Sequence, residues 1–424
     1  MPVVIGAFIL FLLLGLPLAY AFGLAGLWGI HETGLNLKVV PTRLITTIDS
    51  MTLLAAPFYI LAGEIMNAAG ITDRLVLLSR RIVGGIRGAT AYANVLASIF
   101  FSGISGSSVA DTAALGQIFV HGMAREGYSR AFSSAVTVAS AIIGPIIPPS
   151  ITAVIYSAIT GVSVISLFVA GVVPGLLFGL ACFAVIFVKG RRGGLPEPQR
   201  VADDGTPTWR LLIDGLAVLS LPVVIVWGTV GGVFTPTEAG GVACLHALLL
   251  GVFVFRSITL KSFWTGLQNA ARSSATVFFL VAMVSLASYV LIIEGIGSIT
   301  QILQIWFADQ PVRFMLGSVG LLLVLGMFLE PTIIIIVFIP LLTPVARNLG
   351  IDDVHFAMVA ILTLTMGMIT PPVGINLFII LRIAKIGMLP LLRELSAFLV
   401  AEFVVILLII LVPALSVWLP NLLT

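Results

Sequence analysis

The residues best equipped for chemistry lie in two short stretches, 102–112 (SGISGSSVADT) and 144–150 (GPIIPPS). The first sets four Ser, two Gly, one Thr and one Asp inside an apolar run; the second sets Pro145, Pro148 and Pro149 inside another. The hydroxyls of Ser102, Ser105, Ser107 and Ser108, with carbonyls freed near Gly103 and Gly106, are hard oxygen ligands that suit a small hard cation. Pro148 and Pro149 remove two amide donors, so the break from Gly144 to Ser150 can supply further carbonyls. Na⁺ or H⁺ is the coupling ion such a set would take. Helices restarting after Ser108 and after Pro149 turn partial positive charge toward the same place, which favours an anion such as a carboxylate. A matching set follows in the second half of the chain: Gly326, Glu330 and Thr332, then Thr370, Gly374 and Asn376.

Serine and glycine in membrane helices also serve simply to let helices pack closely. Here a polar stretch is followed by a Pro-Pro break and both recur, which favours a site. Asp111 reads equally as a coupling or gating carboxylate and as a local cap or pair, and Glu330 stands in the same position. Glu64 and Glu238 lie near helix ends and read as structural pairs, while Glu402 faces a partner or the bundle interior. Arg382 and Lys385 are expected to snorkel to a membrane face. The four histidines, 31, 121, 246 and 355, lack ligand spacing, so no metal centre is assigned. No Ser-His-Asp set, HExxH or Walker A sequence occurs, so neither an enzyme nor an ATPase is expected.

The elements that hold these residues are membrane helices. Of 424 residues, 59% are hydrophobic and 9% charged, against roughly 25% charged in a soluble domain. Apolar stretches near the ~20 residues needed to span a bilayer recur from end to end. No basic cluster suggests nucleic acid, and Cys182 and Cys244 sit in apolar spans as small hydrophobes. The first apolar run, about 3–29, is too long for a signal-peptide core of roughly 7–15 residues and reads as one retained helix. Residues 71–87 interleave four Arg with Leu and Val and suit the membrane interface, as does a second, weaker arm at 296–310.

The expected fold is an all-α polytopic membrane protein of two inverted repeats, each with a re-entrant helical hairpin and a Pro-Pro-broken helix. Residues 1–188 form the first repeat with its hairpin at 90–121, and 189–209 a cytoplasmic linker. Residues 210–424 hold an extra helix and then the second repeat, with its hairpin at 316–344. A shift of 223 residues lays Gly103, Gly127, Gly144, Pro148 and Pro149 on Gly326, Gly350, Gly367, Pro371 and Pro372 without gaps. With the linker inside, 17 of the 21 Lys and Arg fall on the cytoplasmic side and 4 outside, a strong positive-inside bias that turns the second hairpin opposite to the first. The N-terminus is then cytoplasmic and the C-terminus periplasmic.

Several motifs carry a family resemblance: residues 56–76 (APFYILAGEIMNAAGITDRLV), 101–116 (FSGISGSSVADTAALG), 144–157 (GPIIPPSITAVIYS), 167–179 (LFVAGVVPGLLFG), 232–243 (GVFTPTEAGGVA) and 367–378 (GMITPPVGINLF). Together, through nearly the whole chain, they resemble the large membrane subunit of TRAP (tripartite ATP-independent periplasmic) transporters. The resemblance implies Na⁺-driven, binding-protein-dependent uptake of small organic anions such as C4-dicarboxylates, 2-oxoacids or sialic acids across a bacterial inner membrane, by an elevator motion. It implies a small four-helix membrane subunit, expected here as a separate chain, and a soluble periplasmic binding protein. It places one Na⁺ between Ser102, Gly103, Ser105 and Ser108 and the break at Gly144 and Pro148, and a second between Gly326–Glu330 and Thr370–Gly374. Substrate would touch Ser107, Asp111, Ser150 and Asn376. Leu329-Glu330-Pro331 stands where Gly106-Ser107-Ser108 would be, so the two ion sites need not be copies. A self-sufficient anion:Na⁺ symporter without a binding protein is the alternative.

Overall fold

The computed structural model describes residues 2–197, 207–307 and 310–423, and every regular element among them is helical. Among the described residues, five helices are long and apolar enough to cross a bilayer: Val164–Arg191, Trp209–Val230, Pro236–Val254, Leu260–Glu294 and Met388–Leu411. The pair Pro331–Val337 and Ile339–Asn348, bent by 58°, makes a sixth. The centre of the linker expected at 189–209 lies outside the described residues. Its start does not: the helix Val164–Arg191 runs into it, and Leu195 is buried with its carbonyl held by Arg87 Nε at 3.1 Å.

The first helical hairpin pairs Ala89–Ser105 with Ser108–Arg125. Its turn is two residues long. Gly106 adopts φ 59°, a left-handed conformation that glycine takes without a Cβ penalty, and Ser107 is extended and caps the next helix by accepting from Ala110 N. The second hairpin pairs Pro311–Gly326 with the bent pair and turns through 327–330, with Pro331 at the first helical position, where its missing amide costs no bond. The two broken helices run Arg130–Ala141 to Ile151–Thr160 and Asp353–Gly367 to Ile375–Ala384, with a cis peptide at Pro148-Pro149 and at Pro371-Pro372. Their first halves form the centre of the molecule: residues 132–146 and 355–369 are buried without interruption. The second of these is apolar nearly all round, as a central helix can be, while the first carries buried Ser133, Ser134, Thr137 and Ser140.

Several polar residues in this core are paired, although Asn94 Oδ1 and Glu402 Oε2 have no partner. Asn94 Nδ2 donates to Thr137 Oγ1 at 2.7 Å and Ser98 bonds Ser140 at 2.7 Å, so two rungs fasten the first hairpin to the first broken helix. Ser102, one turn further on, bonds back to Ile99 O at 2.6 Å. Glu402 is fully buried in the bundle and accepts from Cys182 Sγ at 3.6 Å. Glu238 closes a capping box with Thr235, the structural role expected of it.

Three segments depart from the sequence reading. Residues 3–29 are two helices, Pro2–Leu13 and Leu18–Glu32, because Gly15 (φ 81°) and Pro17 interrupt the run. They fold back on each other, with Phe8 stacked on Phe22 at 4.1 Å and Val4 against Gly29. The polar link after Glu32 contains a further helix, Val39–Ile48, laid on Leu260–Leu291 with Arg43 over the Tyr289 ring at 4.0 Å. The last helix stops at Leu411 before Pro413, and Ala414–Leu423 packs separately against Val164–Arg191.

The offset of 223 residues carries helix bounds as well as motifs. It moves Ala89–Ser105 to 312–328, Ser108–Arg125 to 331–348, Arg130–Ala141 to 353–364, Ile151–Thr160 to 374–383 and Val164–Arg191 to 387–414, each within a few residues of an observed helix or bent pair. Packing follows the same rule with partners exchanged: Leu18–Glu32 lies on Leu260–Leu291, and Pro236–Leu249 lies on Ala55–Ala68.

A close backbone crossing joins the second hairpin to the second broken helix. A Cβ on Gly367 would lie 2.7 Å from the backbone of Gly326, whereas one on Gly320 would meet nothing within 4 Å. Gly367→Ala should therefore cost about 1–3 kcal/mol through overpacking. Gly320→Ala should be neutral or slightly stabilising. Thermal unfolding of the purified protein checks this, and equal midpoints would rule the contact out.

Candidate functional site

Both hairpin tips and the first helix break open on one cavity of about 250 Å³. Ser105, Gly106, Ser107 and Ser108 reach it from the first tip, and Glu330, Pro331 and Thr332 from the second. Pro145, Ile151 and Thr152 border it from the first break, and Met368 from the second broken helix. The opposite wall is Gly63, Glu64 and Asn67 of Ala55–Ala68 with Ser273 and Val277 of Leu260–Leu291. Glu64 and Asn67 also line a second, more open space of about 390 Å³, rimmed by Thr259, Lys261, Ser262 and Asn269. The central cavity thus adjoins a polar vestibule between these two helices. Asn269 Nδ2, 3.4 Å from Glu64 Oε2, stands where the two meet.

At the first tip the backbone of the hairpin is pressed onto the break. A Cβ on Gly106 would lie 2.6 Å from the Pro149 carbonyl oxygen, and one on Gly103 would lie 3.8 Å from that of Pro148. Ser150 donates to the Pro145 carbonyl and caps the helix Ile151–Thr160 by accepting from Ala153 N at 3.1 Å. Asp111 is fully buried behind the tip. Ser105 Oγ donates to its Oδ1, while its Oδ2 faces the Cα of Gly144, where a Cβ would collide, and has no hydrogen-bond partner. Ser108 crosses to the other half, with its Oγ 3.2 Å from Met368 Sδ.

The second tip is tied differently. Gly374 N donates to Met327 O at 2.9 Å, Asn376 N to Met368 O at 3.1 Å, and Thr370 Oγ1 to Met366 O at 2.8 Å. The side chain of Asn376 is fully buried, yet neither its Oδ1 nor its Nδ2 has a partner, and the same holds for Thr112 Oγ1. The helices carrying these groups, Ser108–Arg125 and Ile375–Ala384, pack on each other.

The residues singled out in the sequence fall into two layers. Ser105, Ser107, Ser108 and Glu330 line the cavity. Ser102, Gly103, Asp111, Gly144, Pro148, Ser150, Gly326, Gly374 and Asn376 are buried in the layer behind it, and Thr370 is half-buried at the second break. The sequence reading passed over Asn67, Ser273 and Thr112 and gave Glu64 only a structural pairing. The signal for two of them was Glu64-x-x-Asn67, a carboxylate and an amide at i, i+3 on one face of an apolar helix.

Residues 5–415 match the family model for the DctM component of tripartite ATP-independent periplasmic transporters. The chain belongs to this family. It is a multi-pass membrane permease component and not an enzyme. It is 35% identical over 412 residues to the sialic acid TRAP transporter large permease protein SiaM of Vibrio cholerae, covering 96% of this chain and 95% of that one. The C4-dicarboxylate large permease DctM of Pseudomonas aeruginosa is 36% identical over 390 residues, covering 91% and 90%. The 2,3-diketo-L-gulonate large permease YiaN of Escherichia coli is 34% identical over 374 residues, covering 88% of each. Among solved structures, the Alcanivorax borkumensis YdaH transporter aligns over 91% of this chain and 89% of its own with a TM-score of 0.56 at 14% identity, a likeness of fold alone.

The two-layer arrangement makes a labelling prediction. Cysteine introduced by Ser107→Cys should react with a small polar thiol reagent, while Ser102→Cys should stay unmodified under the same conditions. The native Cys182 and Cys244 are both buried and give a low background. Equal labelling at both positions would contradict the cavity geometry.

Proposed function

We propose that this permease component moves a small organic anion across the bacterial inner membrane on a Na⁺ gradient, after a soluble periplasmic binding protein has delivered it. The supporting observation is the row of buried polar atoms without partners behind the cavity: Asp111 Oδ2, Thr112 Oγ1 and both amide atoms of Asn376. Each such atom costs about 1–3 kcal/mol if left unpaired, so the layer is built for something that pairs with it. A small cation at the first tip would meet the carboxylate of Asp111, the hydroxyls of Ser102, Ser105 and Ser108, and backbone oxygen near Gly103, Gly144 and Pro148. A second cation belongs with Gly326, Glu330, Thr370 and Gly374. Asp111, Ser150 and Asn376, expected from the sequence to touch substrate, suit this ion layer better: they do not border the cavity, and Asp111 would repel a carboxylate. Ser107 keeps its role toward substrate, and Thr332 joins it from the second tip.

The exchanged packing of the two halves fits an inverted repeat, with re-entrant hairpins and an elevator motion of tips and breaks against Ala55–Ala68 and Leu260–Leu291. The fold-back at residues 14–17 alters two details. The helix at 210–231 ceases to be extra, because Pro2–Leu13 and Leu18–Glu32 precede the first repeat as it and Pro236–Leu249 precede the second. It also returns the N-terminus to the side of Lys38 and Arg43, which the positive-inside bias assigns to the periplasm, not the cytoplasm. The C-terminus stays periplasmic.

A small four-helix membrane subunit on a separate chain completes the system. Two relatives leave room for such a part: this chain covers 61% of the isethionate TRAP permease DctMQ of Oleidesulfovibrio alaskensis and 67% of the sialic acid TRAP permease SiaT of Haemophilus influenzae.

Reconstituted with both partners in vesicles, the chain should take up substrate only with a Na⁺ gradient and a loaded binding protein. Uptake of free substrate by this chain alone would instead establish a self-sufficient symporter. Ser105→Ala, Ser108→Ala and Asp111→Asn should raise the Na⁺ concentration for half-maximal uptake, by roughly tenfold or more for Asp111, on the scale of 1.5–3 kcal/mol for a charge-assisted contact. An unchanged Na⁺ dependence in all three would remove the first ion site.

A further inference from the structure

A third cavity, of about 530 Å³, lies far from the tips, between the ends of Val164–Arg191 and Met388–Leu411 that adjoin the linker. Three cations border it, Lys189, Arg192 and Arg393, with one carboxylate, Glu394. Lys189 is spoken for: it pairs with Glu394, and its Nζ sits 4.4 Å above the Phe132 ring. Arg192 and Arg393 are exposed and, among the described residues, face no carboxylate, so the pocket presents two uncompensated guanidinium groups. Its floor is apolar, formed by Val185, Val188 and Phe398. Helical spacing carries that floor on between the two helices, through Leu180 on one and Val400 and Val404 on the other, which are 59%, 64% and 55% exposed.

An amphipathic pocket of this kind has a planar, bidentate phosphate-binding rim at one end and a greasy furrow leading away along the membrane normal. We propose that it seats one anionic phospholipid, with the headgroup phosphate between Arg192 and Arg393 and an acyl chain in the furrow. Basic pockets between membrane helices at the cytoplasmic face recognise lipid phosphates in this way. The two helices also pack on the broken helices, Met388–Leu411 on Arg130–Ala141 and Val164–Arg191 on Asp353–Gly367. The lipid is therefore seated on the same body that carries the proposed ion layer.

The test is native mass spectrometry of the purified full-length chain with defined lipids. Wild type should retain phosphatidylglycerol in preference to phosphatidylethanolamine, and an excess of inorganic phosphate should not displace it. Arg192→Ala with Arg393→Ala should weaken phosphatidylglycerol retention roughly thirtyfold, taking the usual contribution of each basic residue near an anionic surface. The double lysine variant, which keeps the charge and loses the bidentate fork, should fall between wild type and the double alanine variant, and Arg256→Ala, an exposed cation elsewhere, should leave retention unchanged. Equal retention of the two lipids, equal loss in Arg256→Ala, or displacement by phosphate would each overturn the assignment.

Discussion

A backbone amide or carbonyl cannot be left bare in hydrocarbon, and this chain interrupts its helices four times at the centre of the molecule. Everything around the site follows from how those interruptions are answered. At the second pair the answer is direct, since the Gly374 amide bonds the Met327 carbonyl and joins break to tip. At the first pair it is a close approach, with Gly106 and Gly103 allowing the hairpin backbone to lie against the Pro149 and Pro148 carbonyls. Side chains do the rest: Ser107 and Ser150 cap the restarting helices, and Ser150 also takes the Pro145 carbonyl.

The two halves solve one problem with different chemistry. The first tip is a two-residue glycine–serine turn over a buried carboxylate. The second is longer, starts its next helix on Pro331, and brings its carboxylate, Glu330, to the cavity edge. A shared architecture with unlike side chains thus sets two carboxyl groups at different depths, Asp111 sealed behind its tip and Glu330 bordering the cavity.

Much of this was legible in the residues. The tips and breaks could be located because Ser, Gly and Pro stand out against an apolar background, and their recurrence at a fixed offset linked the halves. Side-chain depth was not legible: Ser102, Ser105 and Ser107 look alike in a string, yet only the latter two reach the cavity. The wall opposite the tips was missed because Glu64 and Asn67 sit in a helix with no break to draw notice. The fold-back at residues 14–17 was hidden for the converse reason. The run is apolar throughout, and a lone Gly15 and Pro17 weigh little against uninterrupted hydrophobicity until Phe8 is seen stacked on Phe22.

On the proposed topology, that fold-back sets the parity of the chain. With Pro2–Leu13 and Leu18–Glu32 counted as a returning pair, each half makes an odd number of membrane passages on the proposed topology. A tandem duplication of such a unit reverses itself on insertion, with no change of charge or added segment needed to turn the second copy over. Had residues 3–29 been a single helix, the first half would make an even number of passages, and the helix at 210–231 would have been the added segment that turns the second copy over.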